Sequence, residues 1–221
     1  MDLSKSYEFF DPSLAKGRVH IVGCGSVGSA LAENIARLGV KKFDLWDFDV
    51  VEPHNIVNQQ FTRNDVGKLK VEAVKELIES INDEAEVRVH PEGWQGETMS
   101  GYLFLAVDSI EIRKQICEAH KMNFAVKAVF DCRTGLTDAQ HYAADWSKSE
   151  ERDAIIASMQ FSHEEAKEDT PVSACGITLG VVTTVRLVVC MCVNNFVNLL
   201  KGNGNWKFVY CDGFAGRLEC I

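Results

Sequence analysis

Apolar positions follow two different periods along the first 130 residues. Short runs rich in β-branched and aromatic residues predict strands at 18–22, 43–47, 86–90, 102–107 and 125–130. Between these runs, apolar residues recur every three or four positions, which predicts helices over 26–38, 67–81 and 109–121. Because strands and helices alternate, we expect an α/β fold with a doubly wound, mostly parallel sheet and right-handed crossovers.

The second half of the chain is less regular and is expected to be partly antiparallel. Residues 140–146 predict a further strand, and residues 206–210 with the last residues predict a strand or a hairpin. Residues 145–169 carry eight acidic and three basic side chains, which favours a solvated helix with loops; a mobile segment over the active site is the alternative. The apolar segment 176–200 also contains Thr, Arg and Asn and predicts a buried helix, not a membrane span. No repeat or linker is found, so we interpret residues 1–221 as one domain.

Composition and charge narrow the possible functions. Hydrophobic residues make up 46% of the 221 residues and charged residues 25%, which is typical of a globular domain. The formal net charge of −9 argues against a nucleic acid as the main partner. The N-terminal residues lack the apolar stretch of a secretory signal, and several of the eight cysteines lie in apolar runs. We therefore expect a cytoplasmic protein with reduced thiols.

A glycine-rich turn follows the first predicted strand. Its sequence, Gly23-Cys24-Gly25-Ser26-Val27-Gly28, is a GxGxxG motif between a strand and a helix. In such a motif Gly23 permits the turn, Gly25 lets a phosphate approach the backbone, and Gly28 lets helix and strand pack closely. Asp47 ends the second strand 19 positions after Gly28, where an acid binds ribose hydroxyls. The pattern predicts a Rossmann-like nucleotide site around Gly23, Gly25, Ser26, Gly28 and Asp47; glycines used only for packing are the alternative.

The loop after the ribose acid separates two classes of enzyme. A nucleotide-dependent dehydrogenase has no use for the polar side chains of Asp49, Asn55, Gln59 and Lys70 in this loop. An enzyme that adenylates a carboxylate must neutralise a triphosphate and hold Mg²⁺ there.

These motifs, together with Ala106-Val107-Asp108-Ser109, resemble the ThiF/MoeB adenylyltransferases, the superfamily of the ubiquitin-activating enzymes. The resemblance is strong over residues 15–135 and looser beyond. It implies binding of ATP and Mg²⁺, adenylation of the C-terminal carboxylate of a small β-grasp (ubiquitin-like) protein or peptide, and a homodimer. It also implies that the glycines, Ser26, Asn55, Gln59 and Lys70 face the phosphates, that Asp47 binds the ribose, and that Asp108 binds Mg²⁺.

Simpler roles remain open for three of these residues. Lys70 fits a solvated position on the first turn of a helix, and Asp108 fits a helix N-cap. Asp49 fits a second polar ligand or a plain loop acid.

The chain departs from the family pattern in three places. The arginine that usually precedes the glutamine of the Asn-x-x-Arg-Gln motif is Asn58, residues 1–15 contain no arginine, and there is no CxxC pair for a structural zinc ion. Arg133, or less favourably Arg63, could replace the lost positive charge; a salt bridge from Arg133 to Asp131 is the alternative.

A covalent thioester step would need a reactive cysteine. Cys175 is the best candidate because it precedes the predicted buried helix, whose N-terminus would favour a thiolate; a small buried residue at a turn is at least as good an interpretation. Two other functions also stay open. The lost arginines favour a non-catalytic partner subunit of a complete enzyme, and the glycine motif with Asp47 fits an NAD-dependent oxidoreductase. We expect no membrane association.

Overall fold

The computed structural model describes residues 1–160 and 179–221. Within them, the helices are α1 (Ser26–Arg37), α2 (Lys70–Ile81), α3 (Ile110–Ala119), α4 (Ser149–Ala157) and α5 (Val182–Leu200). The strands are β1 (Val19–Val22), β2 (Lys42–Trp46), β3 (Glu86–His90), β4 (Gly101–Leu105), β5 (Val126–Thr134), β6 (Asp138–Asp145), β7 (Phe208–Asp212) and β8 (Arg217–Cys220). Short 3₁₀ turns occupy Pro12–Leu14, Pro53–Val57 and Arg63–Asp65.

The strands described form one sheet in the order β3-β2-β1-β4-β5-β6-β7-β8. Strands β3, β2, β1, β4 and β5 run parallel, and β6, β7 and β8 continue the sheet antiparallel. This confirms the predicted fold class, including the antiparallel C-terminal half. The strand order reverses between β1 and β4, so a crevice opens at the carboxyl ends of these strands. Open α/β sheets place their ligands at this position.

Helices cover both faces of the sheet. On one face, Leu31 of α1, Val74 of α2 and Val188 of α5 belong to one buried cluster with the sheet, and each has no exposed surface. On the other face, Ile116 of α3 and Ile155 of α4 pack in a second cluster. Burial of each large aliphatic side chain contributes roughly 1.5–3 kcal/mol, so the two apolar layers fix the sheet between them.

Helix α5 corresponds to the predicted buried helix, although it starts at Val182. By length and composition it could cross a membrane, but half of this segment is buried against the rest of the chain. Its buried face includes Val185, Val189 and Phe196 and packs on α1 and the β5–β6 part of the sheet. The described structure therefore uses α5 as a core helix.

Helix α2 starts three residues later than its periodicity predicts. Gly67 adopts a left-handed backbone conformation with φ of +92°. Its N–H donates to the carbonyl of Val51 at 2.9 Å, and Lys68 accepts from Val51 at 2.8 Å. Residues 67–69 therefore run alongside the loop after β2, and the helix begins only at Lys70, next to that loop.

The C-terminal half differs in detail from the expectation. Strand β5 extends to Thr134 because it pairs antiparallel with β6 up to Ala139. Helix α4 lies in the acidic stretch as predicted, yet it is not fully solvated, because Glu151 is buried and accepts from the N–H of Asp145 at 2.8 Å. The proposed mobile segment falls largely on residues 161–178, which lie outside the described part of the chain. Strands β7 and β8 confirm the terminal hairpin.

Candidate functional site

The glycine-rich turn is shaped by close contact with β4. Gly23 has φ of +94°, and a Cβ there would lie 2.6 Å from the backbone of Ala106. A Cβ on Gly28 would lie 1.8 Å from the carbonyl oxygen of Gly23, so only glycine fits. A Cβ on Gly25, by contrast, would meet no described atom within 4 Å. The turn and packing roles predicted for Gly23 and Gly28 fit this geometry, and the open face at Gly25 is where a phosphate could approach.

The N-terminus of α1 points into the same crevice. Gly25 is the N-cap and provides no capping side chain, and Ser26 is the first helical residue. The hydroxyl of Ser29 donates to the carbonyl of Gly25 at 2.6 Å and braces the turn from inside the helix. The uncapped N–H groups and the positive end of the helix dipole suit an anion.

Asp47 holds the turn through both of its carboxylate oxygens. Oδ2 accepts from the N–H of Cys24 at 2.6 Å, and Oδ1 accepts from the N–H of Asp49 at 2.8 Å. Burial raises the pKa of Asp47, although both of these hydrogen bonds favour its ionised form. Each oxygen keeps a second lone pair, so a ribose hydroxyl could still donate to this side chain.

Lys70 is buried and paired, which contradicts the solvated interpretation. Its Nζ lies 2.6 Å from Oδ2 of Asp49, and its backbone N–H donates to the carbonyl of Asp49 at 2.9 Å. Asp49 remains half exposed. The two candidates thus form an ion pair at the end of β2, with Asp49 as the counter-ion of the predicted phosphate ligand.

In the loop at 53–60, the side chain of Asn55 stabilises a turn, whereas the side-chain oxygen of Gln59 has no hydrogen-bond partner among the described residues. Oδ1 of Asn55 accepts from the N–H of Glu52 at 2.9 Å and caps the 3₁₀ turn, so only its Nδ2 could donate to a phosphate. Gln59 follows, with its N–H bonded to the carbonyl of Asn55 at 3.0 Å. Its Oε1 is buried and has no hydrogen-bond partner among the described residues. A bound donor such as a hydroxyl or a metal-bound water would satisfy it.

Asp108 lies exposed directly after β4 and is not the N-cap of α3. Ser109 caps that helix, since its Oγ accepts from the N–H of Ile112 at 3.2 Å. The N-cap interpretation of Asp108 is therefore wrong, and Asp108 stands exposed in the segment between β4 and α3. The turn before it is held by Arg113, whose Nε donates to the carbonyl of Val107 at 2.7 Å.

Asp131 is buried between two arginines within β5, where it pairs with Leu105, the last residue of β4. Arg113 donates to Oδ1, and Arg133 approaches Oδ2 at 2.6 Å. Arg133 also donates to the backbone oxygen of Ser158 at 3.0 Å and lies over the ring of Tyr142. The described contacts of Arg133 are thus those of the salt-bridge alternative, and a phosphate contact would require it to release Asp131.

Sequence reasoning missed Arg113, although a signal was present. Arg113 shares the buried face of α3 with Ile110 and Ile116, at a spacing of three residues. A charged side chain on an apolar helix face needs a buried partner, and Asp131 is that partner.

The remaining candidates fall in different places. Cys175 lies outside the described residues. Asn58, in the position of the usual arginine, donates to the carbonyl of Gly180 at 3.4 Å, just before α5. Cys24 is fully buried, and burial raises its thiol pKa well above the ordinary value, so it is no nucleophile. Arg63 belongs to a 3₁₀ turn beyond the loop.

A cluster of Cys132, His141 and Cys192 lies buried between β5, β6 and α5, with its ligand atoms within 4.8 Å of one another. The amide of Asn195 is oriented by Trp206, whose N–H donates to Oδ1 at 2.9 Å and whose carbonyl accepts from Nδ2 at 2.8 Å. Nδ2 therefore donates to Nε2 of His141, at 3.0 Å.

That hydrogen bond fixes the histidine tautomer, because an acceptor Nε2 leaves the imidazole proton on Nδ1. Nδ1 lies 3.8 Å from Sγ of Cys132. Hydrogen bonds from Cys192 and His141 lower the pKa of Cys132. The cluster in this form is a hydrogen-bonded thiol group, since Nδ1 has no lone pair left for a metal ion.

Comparisons with known proteins agree with this architecture. The ThiF family profile matches residues 10–218. Ubiquitin-like modifier-activating enzyme 5 of Drosophila willistoni is 28% identical over 145 residues, which cover 56% of this chain and 35% of that protein. The Caenorhabditis elegans enzyme of that name is 38% identical over 72 residues, which cover 33% of this chain and 17% of the relative. The chain thus spans about a third or less of these relatives.

Solved structures with the same fold cover 94% of this chain. PaaA has a TM-score of 0.71 at 19% identity, and 64% of its chain is covered. MccB of E. coli with ATP has a TM-score of 0.69 at 15% identity, and MccB with AMPCPP and MccA has 0.71 at 16%; each is covered over 64%.

Proposed function

The chain belongs to the ThiF family, and from this premise we propose that it is an ATP-dependent adenylyltransferase. It activates the C-terminal carboxylate of a peptide or small ubiquitin-like protein as an acyl-adenylate. One observation carries the proposal: the open glycine turn, the Lys70–Asp49 pair and the exposed Asp108 all follow strands whose carboxyl ends meet at the reversal of strand order. The solved MccB complexes with ATP and with AMPCPP plus MccA support a nucleotide and a peptide as the ligand classes.

The reaction joins two ligands that are both anionic. A carboxylate oxygen of the acceptor attacks the α-phosphorus in line, a new P–O bond forms, and the bond to the β-phosphate oxygen breaks so that pyrophosphate leaves. No general base is needed, because the attacking carboxylate is already ionised at neutral pH. Catalysis is then a matter of positioning and charge stabilisation.

The residues at the crevice divide these tasks. The N–H groups at Gly25 and Ser26 receive a phosphate, Asp47 receives the ribose, and Lys70 exchanges Asp49 for a phosphate oxygen as its partner. Asp108 is a hard oxygen ligand of the kind that Mg²⁺ prefers, and its exposed carboxylate fits that ion. When bound, Mg²⁺ would neutralise phosphate charge.

Arg133 is proposed as a further donor to the phosphates. Its release from Asp131 would not leave that buried carboxylate alone, because Arg113 still neutralises it. Cys175 stays a proposed acceptor of the activated acyl group: its sulfur would form the C–S bond of a thioester while the bond to AMP breaks and AMP leaves.

A non-catalytic partner subunit is the second candidate function. Two observations favour it. Asn58 stands where the family has an arginine and is bonded to Gly180, and Arg133 is engaged by Asp131 and Ser158. Positive charge at the crevice is correspondingly low.

The test is a calorimetric titration with ATP plus Mg²⁺, and separately with NAD⁺, of wild type, Asp108→Ala and Asp83→Ala. Asp83 is an exposed acid just before β3, at the opposite edge of the sheet, and serves as the matched control. Adenylation predicts saturable ATP binding that weakens at least tenfold in Asp108→Ala and is unchanged in Asp83→Ala. Binding of NAD⁺ alone would support the oxidoreductase, and no binding of either nucleotide would support the partner subunit.

Oligomeric state and compartment belong to the same proposal. We place the protein as a homodimer in a reducing, cytoplasmic environment. Light scattering at micromolar concentration would give twice the mass of the 24.6 kDa chain for a dimer.

A further inference from the structure

The loop that carries Asn55 and Gln59 is fastened to α5 by a side-chain triad. Arg186 of α5 donates to Oε1 of Gln60, and its NH1 lies 3.2 Å from Oε2 of Glu33 on α1. Nε2 of Gln60 donates to the same oxygen of Glu33, which closes the triad. Gln60 is the direct neighbour of Gln59, so the triad fixes the backbone immediately beside the unpartnered candidate ligand.

The same loop is connected to the glycine turn. The N–H of Gln60 donates to Oγ of Ser29 at 3.1 Å, and that hydroxyl donates to the carbonyl of Gly25 at 2.6 Å. A continuous chain of hydrogen bonds therefore runs from Arg186 through Gln60 and Ser29 to the N-cap of α1.

We infer that Arg186 is a positioning residue for nucleotide binding, which sets the loop 53–60, and with it Gln59, against the glycine turn. The inference rests on the proposed function. Asn58, bonded to Gly180, gives the loop a second attachment to the start of α5. Arg186 thus acts through Gln60 and need not touch the nucleotide.

Two arginines contact Glu33, and only one of them belongs to the triad, so replacing the other provides a matched control. Glu33 is bound by Arg186 from α5 and by Arg37 from its own helix, at 3.2 and 2.9 Å. Although burial opposes it, hydrogen bonds from these two arginines lower the pKa of Glu33. Arg37 contacts the same carboxylate but contributes nothing to the triad with Gln60. Arg37→Ala therefore removes the same charge from Glu33 and leaves the loop attachment intact.

The experiment combines two measurements on wild type, Arg186→Ala, Arg186→Lys and Arg37→Ala. Calorimetry gives the affinity for ATP plus Mg²⁺ and for adenosine, and amide hydrogen exchange reports on residues 53–60 without nucleotide. We expect Arg186→Ala to bind ATP about tenfold more weakly, because the hydrogen bonds that hold the loop in position are lost. Adenosine affinity should be unchanged, because the loop serves the phosphates, and exchange in the loop should become faster.

The controls decide between positioning and general stability. Arg37→Ala should keep ATP affinity within about twofold and should leave loop exchange unchanged. Arg186→Lys keeps the charge beside Glu33, but a single ammonium does not replace a planar fork that reaches Glu33 and Gln60 together. The ATP affinity and the loop exchange rate of Arg186→Lys should lie between those of wild type and Arg186→Ala. If Arg186→Ala does not fold, Arg186→Lys is compared with Arg37→Ala in its place.

Two results would overturn the inference in different ways. Equal ATP affinity and equal loop exchange in Arg186→Ala and Arg37→Ala would overturn it and leave the proposed function standing. A wild type that binds no ATP would overturn the proposed function and this inference with it.

Discussion

Lys70 and Asp49 are joined twice, side chain to side chain at 2.6 Å and backbone to backbone at 2.9 Å. The second contact exists because Gly67 delays the start of α2 and lays residues 67–69 beside the loop after β2. Lys70 is therefore placed by the backbone, and its charge is held at the crevice before any ligand arrives.

The ion pair predicts opposite effects for its two members. Lys70→Met should weaken ATP binding at least tenfold, because it removes a positive charge beside the phosphates. Asp49→Asn should strengthen ATP binding by a few-fold if Asp49 serves only as the counter-ion, since Lys70 then needs no exchange of partner. Titration calorimetry measures both. Weaker binding in Asp49→Asn would instead identify Asp49 as a ligand of the metal ion.

The two glycines of the turn predict a contrast between stability and binding. Gly28→Ala should destabilise the fold by roughly 3 kcal/mol or more, because its Cβ would overlap the carbonyl of Gly23. Gly25→Ala should cost about 1 kcal/mol or less, since a Cβ there meets open space, yet it should abolish ATP binding by filling the approach to the backbone. Denaturant unfolding and calorimetry on the pair test this. Normal ATP binding in Gly25→Ala would contradict a phosphate at this turn.

His20 predicts a specific dependence of stability on pH. Burial lowers its pKa from 6.5 to about 4, so between these values the unfolded chain binds a proton that the folded chain does not. Stability should therefore fall as pH decreases from 6.5 to 4, by at most about 1.4 kcal/mol per pH unit.

Urea unfolding at several pH values tests this contribution. In His20→Asn, the unfolding free energy should no longer show the decrease between pH 6.5 and 4 that His20 causes. The asparagine side chain still offers an acceptor for Nε1 of Trp46. His54 is half exposed, so His54→Gln is the matched histidine substitution outside the buried layer and serves as the control. Identical slopes in wild type and His20→Asn would refute the assignment.

The two arginines that contact Asp131 are expected to contribute unequally to the free energy of unfolding. Arg113 is buried and bonded to the carbonyls of Val107 and Cys132 besides Asp131, so Arg113→Met should destabilise the fold by roughly 3–5 kcal/mol. Arg133→Met should cost less, about 1–2 kcal/mol, because Arg113 still compensates Asp131 although the contacts of Arg133 with Ser158 and Tyr142 are lost. Thermal unfolding gives the ranking, and a reversed order would show that Arg133 is the main partner of Asp131.

Much of the fold was predictable because its signals are local. The strands β1 and β3 and the helix α1 follow from periodicity within single segments, and the glycine turn follows from a motif of six residues. The late start of α2 was not predictable in this way, since it depends on a pairing with residue Val51 nineteen positions earlier than Lys70.

The site shows the same division between local and distant information. The positions of Asp47 and Lys70 could be chosen from spacing, but their partners could not. The burial of Lys70 and the sharing of Asp131 depend on contacts between segments distant in sequence. Arg186 lies 126 positions from Gln60, so no local pattern connects it with the nucleotide loop.

The buried thiol cluster predicts how a metal site could be created. In the wild type Asn195 donates to His141 and keeps the imidazole proton facing Cys132, so Co²⁺ should produce no thiolate-to-cobalt charge-transfer absorption. Asn195→Asp replaces the donor by an acceptor, which favours the proton on Nε2 and frees Nδ1 as a ligand beside Cys132 and Cys192. This variant should acquire the absorption, and replacing both thiols by Cys132→Ser and Cys192→Ser should remove it. Strong absorption in the wild type would show that the tautomer is not fixed by Asn195.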